Sequence, residues 1–98
     1  MTLPLEIPQA EIEAFCQRHH IRRLSLFGSV LRDDFGPHSD VDVLVEYEPE
    51  ARVSYLDMAG QEIELAEVLG RKVDLRTAQE LSRYFRQQVM DTARHVYG

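Results

Sequence analysis

The chain holds one cysteine, Cys16, and no tryptophan. A lone thiol excludes an internal disulfide and a cysteine-only zinc cage, and it suits a reducing compartment, the cytoplasm. Long apolar runs are also missing. None approaches the ~20 residues that a membrane helix needs, and the opening Met1-Thr2-Leu3-Pro4-Leu5 lacks the basic and apolar regions of a secretory signal. Positive charge is scarce: eleven Lys and Arg stand against seventeen Asp and Glu, a formal charge of −6. General nucleic-acid binding rests on cation–phosphate attraction, so this balance argues against it and favours a metal site or a basic partner. Repeats and low-complexity tracts are absent. The 98 residues, 44% of them hydrophobic and 29% charged, predict one ordinary globular domain over residues 1–98.

Pro8 opens a helical segment running to about His20, with Ala10, Ile12, Ala14, Phe15 and Cys16 as a partial apolar face. Leu24 to Phe27 reads as a short strand stopped by Gly28, followed by one or two helical turns to about Asp34. Gly36-Pro37-His38-Ser39 is a turn by composition. Asp40 to Tyr47 is the clearest strand: Val41, Val43 and Val45 share one face, and Asp40, Asp42, Leu44 and Glu46 the other. Ser54 caps a second helix, with Asp57 three residues on, and Gly70 closes it. Its apolar face is expected from Leu56, Ala59, Ile63, Leu65, Ala66 and Leu69. Lys72 to Arg76 reads as a third strand. A last helix from about Ala78 to His95 follows, burying Leu81, Phe85, Val89 and Val96. Three strands separated by helices predict an α/β or α+β sandwich around one small sheet.

The chemistry concentrates between Leu26 and Val45. In a strand, residues i and i+2 point the same way, so Asp40 and Asp42 present two carboxylates on one face. Such a pair is costly unless a hard cation joins it. Oxygen ligands suit Mg²⁺, which keeps several waters and takes substrate phosphates as further ligands. Gly28-Ser29 supplies a phosphate side. Glycine permits close backbone approach, a helix start aims free N–H groups at an anion, and the Ser29 hydroxyl adds a donor. Arg32 lies one turn further along, within reach of the same phosphates or of Asp33 and Asp34. Asp74 stands alone between Val73 and Leu75. It would complete a three-acid cluster if its strand neighbours the Asp40–Val45 strand, or it pairs with Arg76.

Gly28-Ser29, ten residues, then Asp40-Val41-Asp42 resembles the signature of the DNA polymerase beta-like nucleotidyltransferase superfamily. Arg32, Ser39 and Val43-Leu44-Val45 make the chain most similar to the minimal nucleotidyltransferase (MNT) domain proteins. The resemblance implies a small mixed sheet with flanking helices. It also implies an antitoxin that transfers AMP from ATP, with Mg²⁺, to a tyrosine hydroxyl of a HEPN ribonuclease toxin, its hetero-oligomeric partner. By that resemblance Gly28, Ser29, Arg32 and Ser39 would hold the nucleotide, and Asp40, Asp42 and Asp74 would be the catalytic, metal-binding acids. No direct nucleic-acid or membrane contact is expected.

Two other functions fit the same residues: an antitoxin that blocks its toxin by binding alone, and a transferase acting on a small molecule. Several side chains have plainer readings. His19, His20, His38 and His95 match no common zinc spacing and are expected at the surface. Cys16 is expected as a core thiol. Arg83, Arg86 and Arg94 form a solvated face or a partner surface.

Overall fold

The computed structural model describes residues 7–28, 36 and 39–98. Its chain order is α1 (Gln9–Arg18), β1 (Ile21–Phe27), β2 (Val41–Tyr47), α2 (Tyr55–Leu69), β3 (Val73–Arg76), α3 (Arg83–Thr92) and β4 (Arg94–Tyr97). The strands form one mixed sheet in the order β3-β2-β1-β4. β1 is antiparallel to β2 and to β4, and β2 is parallel to β3. A parallel pair requires a crossover, and α2 provides it. This is the small mixed sheet with flanking helices that the resemblance implies, with four strands in place of the three read from the sequence. No helix among the described residues is long and apolar enough to cross a membrane.

Strand alternation divides the sheet into two faces. Val41, Val43 and Val45 point into a core with Leu24, Leu26, Val73 and Leu75, covered by Ile12, Phe15 and Cys16 of α1 and Leu65 of α2. On the opposite face Phe27 and Leu44 pack with Leu81 and with Val89 of α3. α1 thus buries i, i+3 and i+4 positions, and Ala10 and Ala14 stay exposed. It ends at Arg18, and His20 turns the chain into β1 at a left-handed φ of 57°.

The caps of α2 follow the expected chemistry. Ser54 Oγ accepts from the Asp57 N–H at 3.1 Å, and Asp57 accepts from the Ser54 N–H at 3.0 Å. Gly70 closes the helix at φ 68°. The buried face differs from expectation. Leu56 and Ile63 are 85% and 64% exposed, and Ala59 also faces out. Leu65 is buried and Ala66 and Leu69 are half-buried as expected, and Gln61, with half-buried Met58 and Val68, takes the place of the three that face out. The helix carries two apolar stripes, and the docked one includes a polar residue. Gln61 tolerates burial because the Tyr47 hydroxyl donates to its Oε1 at 2.5 Å.

The single helix expected over Ala78–His95 is also corrected. A 3₁₀ turn at Ala78–Glu80 precedes α3, which starts only after Ser82 caps it through the Phe85 N–H at 3.2 Å. The Arg86 guanidinium donates to the carbonyls of Ala78 and Leu81, at 2.8 and 3.2 Å, satisfying groups that a continuous helix would have used. After Ala93 the chain becomes a fourth strand. Arg94, His95 and Tyr97 pair with Leu26, Ser25 and Leu24, covering the outer edge of β1. Val96 is therefore a half-buried strand residue, and Phe85 stays 40% exposed.

Candidate active site

The sheet brings Phe27 and two of the candidate acids, Asp42 and Asp74, into one row. Phe27 on β1 faces Asp42 on β2, and Asp42 faces Asp74 on β3. Alternation turns Asp42 and Asp74 away from the valine core, because Val41, Val43, Val73 and Leu75 occupy the other face. The two carboxylates line a cleft of about 320 Å³ together with Phe27, Gly28, Arg76, Leu81 and Phe85.

Gly28 ends β1 at φ 70°. A Cβ at this position would overlap Asp42 Oδ2 and lie 3.1 Å from Asp42 Cγ. Both the backbone conformation and the close approach of the carboxylate therefore require glycine. Asp74 is gripped by a guanidinium fork: Arg76 Nε donates to Oδ1 at 3.0 Å and Nη2 to Oδ2 at 3.3 Å. These bonds push the Arg76 pKa above its already high ordinary value. Arg76 also lies 3.9 Å from Glu80. β3 is one of the sheet's two edge strands, and Glu62 of α2 accepts the Leu75 N–H at 2.8 Å, capping that edge beside the site.

Asp40 stands one residue before β2, exposed, and is not among the described residues lining the cleft. Ser39 is committed to a turn: its Oγ accepts the Gly36 N–H at 3.0 Å. The Arg71 guanidinium donates to the Ser39 carbonyl at 3.0 Å and to that of Gly36. Val41 N–H bonds the Lys72 carbonyl at 2.8 Å, so the turn after α2 is zipped to the segment carrying Asp40. Ser29, Arg32 and His38 lie outside the described residues. The structure thus joins Gly28, Asp42 and Asp74, and places Asp40 and Ser39 at the approach to β2.

Sequence reasoning missed Arg71 as a clamp and Leu81 and Phe85 as cleft walls. Arg71 follows a helix cap and carries no local signal. Phe85 reads as a core residue in any helical periodicity. Among the described residues no three His, Cys, Asp or Glu stand together as a metal cage. The donor set suits a cation that completes its shell elsewhere. Asp42 and Asp74 offer carboxylate oxygens from adjacent strands, as Mg²⁺ prefers when water and phosphate supply the rest. His19 lies beside Glu64, Nε2 to Oε1 3.3 Å, with burial lowering its pKa.

The Nucleotidyltransferase domain family matches residues 11–96. An inferred protein adenylyltransferase of Methanocaldococcus jannaschii is 36% identical over 76 residues, 78% of this chain and 80% of that protein. The solved structure of an inferred minimal nucleotidyltransferase superposes with a TM-score of 0.71 at 33% identity, covering 87% of this chain and 85% of the other. A complex of a tri-AMPylated Shewanella oneidensis HEPN toxin with an MNT antitoxin matches with a TM-score of 0.65, over 92% of this chain and 69% of that one. At 22% identity that likeness is one of fold. The chain belongs to the nucleotidyltransferase domain family, in its minimal form.

Proposed function

We propose that this chain is an antitoxin that transfers AMP from ATP to a tyrosine hydroxyl of a HEPN ribonuclease toxin, silencing it in the cytoplasm. The observation that carries this reading is the pairing of Asp42 with Asp74 across β2 and β3, against a glycine whose Cβ would strike Asp42. Family membership supports nucleotidyl transfer. The adenylyltransferase relative and the fold shared with an antitoxin bound to an AMPylated toxin support a protein acceptor.

Asp40, Asp42 and Asp74 would hold Mg²⁺. The ion supplies charge neutralisation for the triphosphate. Gly28 keeps the chain low enough for phosphate to approach Asp42. Ser29 and Arg32 would add donors to that phosphate. Asp74 would take the acceptor's proton on a carboxylate oxygen as the hydroxyl oxygen bonds to the α-phosphorus. The bond from that phosphorus to the β-phosphate oxygen breaks, and pyrophosphate leaves. Phe27, Leu81 and Phe85 wall the cleft with apolar surface and limit competing water.

The test mixes the chain with ATP, Mg²⁺ and the protein encoded beside its gene, and reads the intact mass of both. A gain of AMP masses on the partner, lost with Asp42→Asn, is the expected result. A stable complex with no mass gain would overturn the transferase reading in favour of an antitoxin that works by binding.

A further inference from the structure

We infer that Arg76 is a triphosphate-binding residue that exchanges the Asp74 carboxylate for phosphate oxygens when nucleotide arrives. The inference rests on the nucleotide reading above and adds a residue to it. Asp74 and Arg76 are two apart on β3, so both side chains leave the same face of the sheet, and both line the cleft. The fork occupies both carboxylate oxygens, at 3.0 and 3.3 Å. The fork places a positive charge and one hydrogen bond on each Asp74 oxygen, so a cation or a proton must compete with the guanidinium for this carboxylate. Withdrawal of the guanidinium removes that competition.

The structure also supplies the means of moving it. Asp74 and Arg76 side chains are 37% and 47% exposed, and an ion pair this wet contributes little to stability. Glu80 at 3.9 Å keeps the guanidinium near the cleft without forming a second close fork. A phosphate presents the same two-oxygen edge to a guanidinium as a carboxylate does, with more charge. The released Arg76 accordingly meets an equivalent partner in the same cleft, and Asp74 is freed in the same event. Lysine at this position supplies charge but no fork.

The experiment uses the purified chain with two probes, Mn²⁺ alone followed by electron paramagnetic resonance, and ATP in saturating Mn²⁺ followed by calorimetry. Arg76→Ala should bind Mn²⁺ alone several-fold more tightly, because Asp74 is released. It should bind ATP roughly tenfold to a hundredfold more weakly, the loss of a charge-assisted fork. Arg76→Lys should recover part of the ATP affinity. Asp74→Asn should weaken Mn²⁺ binding and remove the Mn²⁺ gain of Arg76→Ala in the double variant. Unchanged ATP affinity in Arg76→Ala, or weaker Mn²⁺ binding, would overturn the exchange and leave Arg76 as a support that orients Asp74. Wild-type protein that binds neither probe would remove the nucleotide reading itself, and the exchange with it.

Discussion

Two glycines allow the backbone cost of the site to be separated from its chemistry. Gly28 and Gly70 share nearly the same left-handed φ, 70° and 68°. A Cβ at Gly70 meets nothing within 4 Å, whereas one at Gly28 overlaps Asp42 Oδ2 and lies 3.1 Å from Cγ and 3.4 Å from Cβ of that residue. Alanine at either position carries the left-handed penalty of about 1–2 kcal/mol. For a domain of this size that lowers the melting temperature by roughly 5–15 °C. Gly70→Ala should show this loss and no more. Gly28→Ala should show at least as much, and in addition force the Asp42 carboxylate to swing out of line with Asp74. A displacement near 1 Å at a reacting group costs on the order of a hundredfold in rate. The assay is the initial rate of AMP transfer from α-labelled ATP to the partner protein, measured well below both melting temperatures. Gly28→Ala should fall about a hundredfold, and Gly70→Ala should stay within about twofold of wild type. Equal rates in the two variants would refute the claim that close packing of Gly28 on Asp42 sets the site.

Alkaline stability follows from a buried thiol and a half-buried phenol. Burial pushes the Cys16 thiol from 9.0 up to about 12 and is the main cause that pushes Tyr47 from 10.0 up to about 12. The folded state keeps these protons longer than the unfolded chain. Their contribution is therefore complete below about pH 9 and is lost as pH rises through 9 to 12. Urea midpoints should fall steadily over that window, less steeply in Cys16→Ala, and the native thiol should resist Ellman's reagent until the chain unfolds. A flat profile to pH 11 would refute both assignments. Ser54→Ala removes the acceptor for the Asp57 N–H and should cost about 1 kcal/mol, read as a shift in the urea midpoint at unchanged slope.

The sequence is most legible where one local rule acts alone. β2 declares itself through Val41, Val43 and Val45, and α2 through Ser54, Asp57 and Gly70, because alternation and capping need only neighbouring residues. The outward turn of Leu56 and Ile63 is not legible. Two stripes of α2 are apolar, and the choice between them depends on the sheet and on Tyr47 reaching Gln61. β4 is hidden for the same reason. His95-Val96-Tyr97 continues a tolerable helical pattern, and only the open edge of β1 makes a strand worth forming there. At the site, Gly28, Asp42 and Asp74 stand out because each breaks the apolar pattern around it. Arg71 does not, since its partners are backbone carbonyls at Gly36 and Ser39.

The meeting of Asp42 with Asp74 is fixed by residues that do no chemistry. In the observed register Val41 faces Val73 and Val43 faces Leu75, and all four are buried on the α1–α2 side. A slip of one residue would send Asp74 into that core and Val73 or Leu75 into the cleft, which the buried aliphatic set forbids. A slip of two would keep the faces but set Asp42 opposite Lys72 or Arg76 instead of Asp74. Against that second slip stand two contacts at the ends of β3. Lys72 receives the Val41 N–H, and Glu62 receives the Leu75 N–H from α2. Hydrophobic alternation thus chooses the face, and these two hydrogen bonds choose the rung. The acids converge because β3 can lie against β2 and α2 together in one place only.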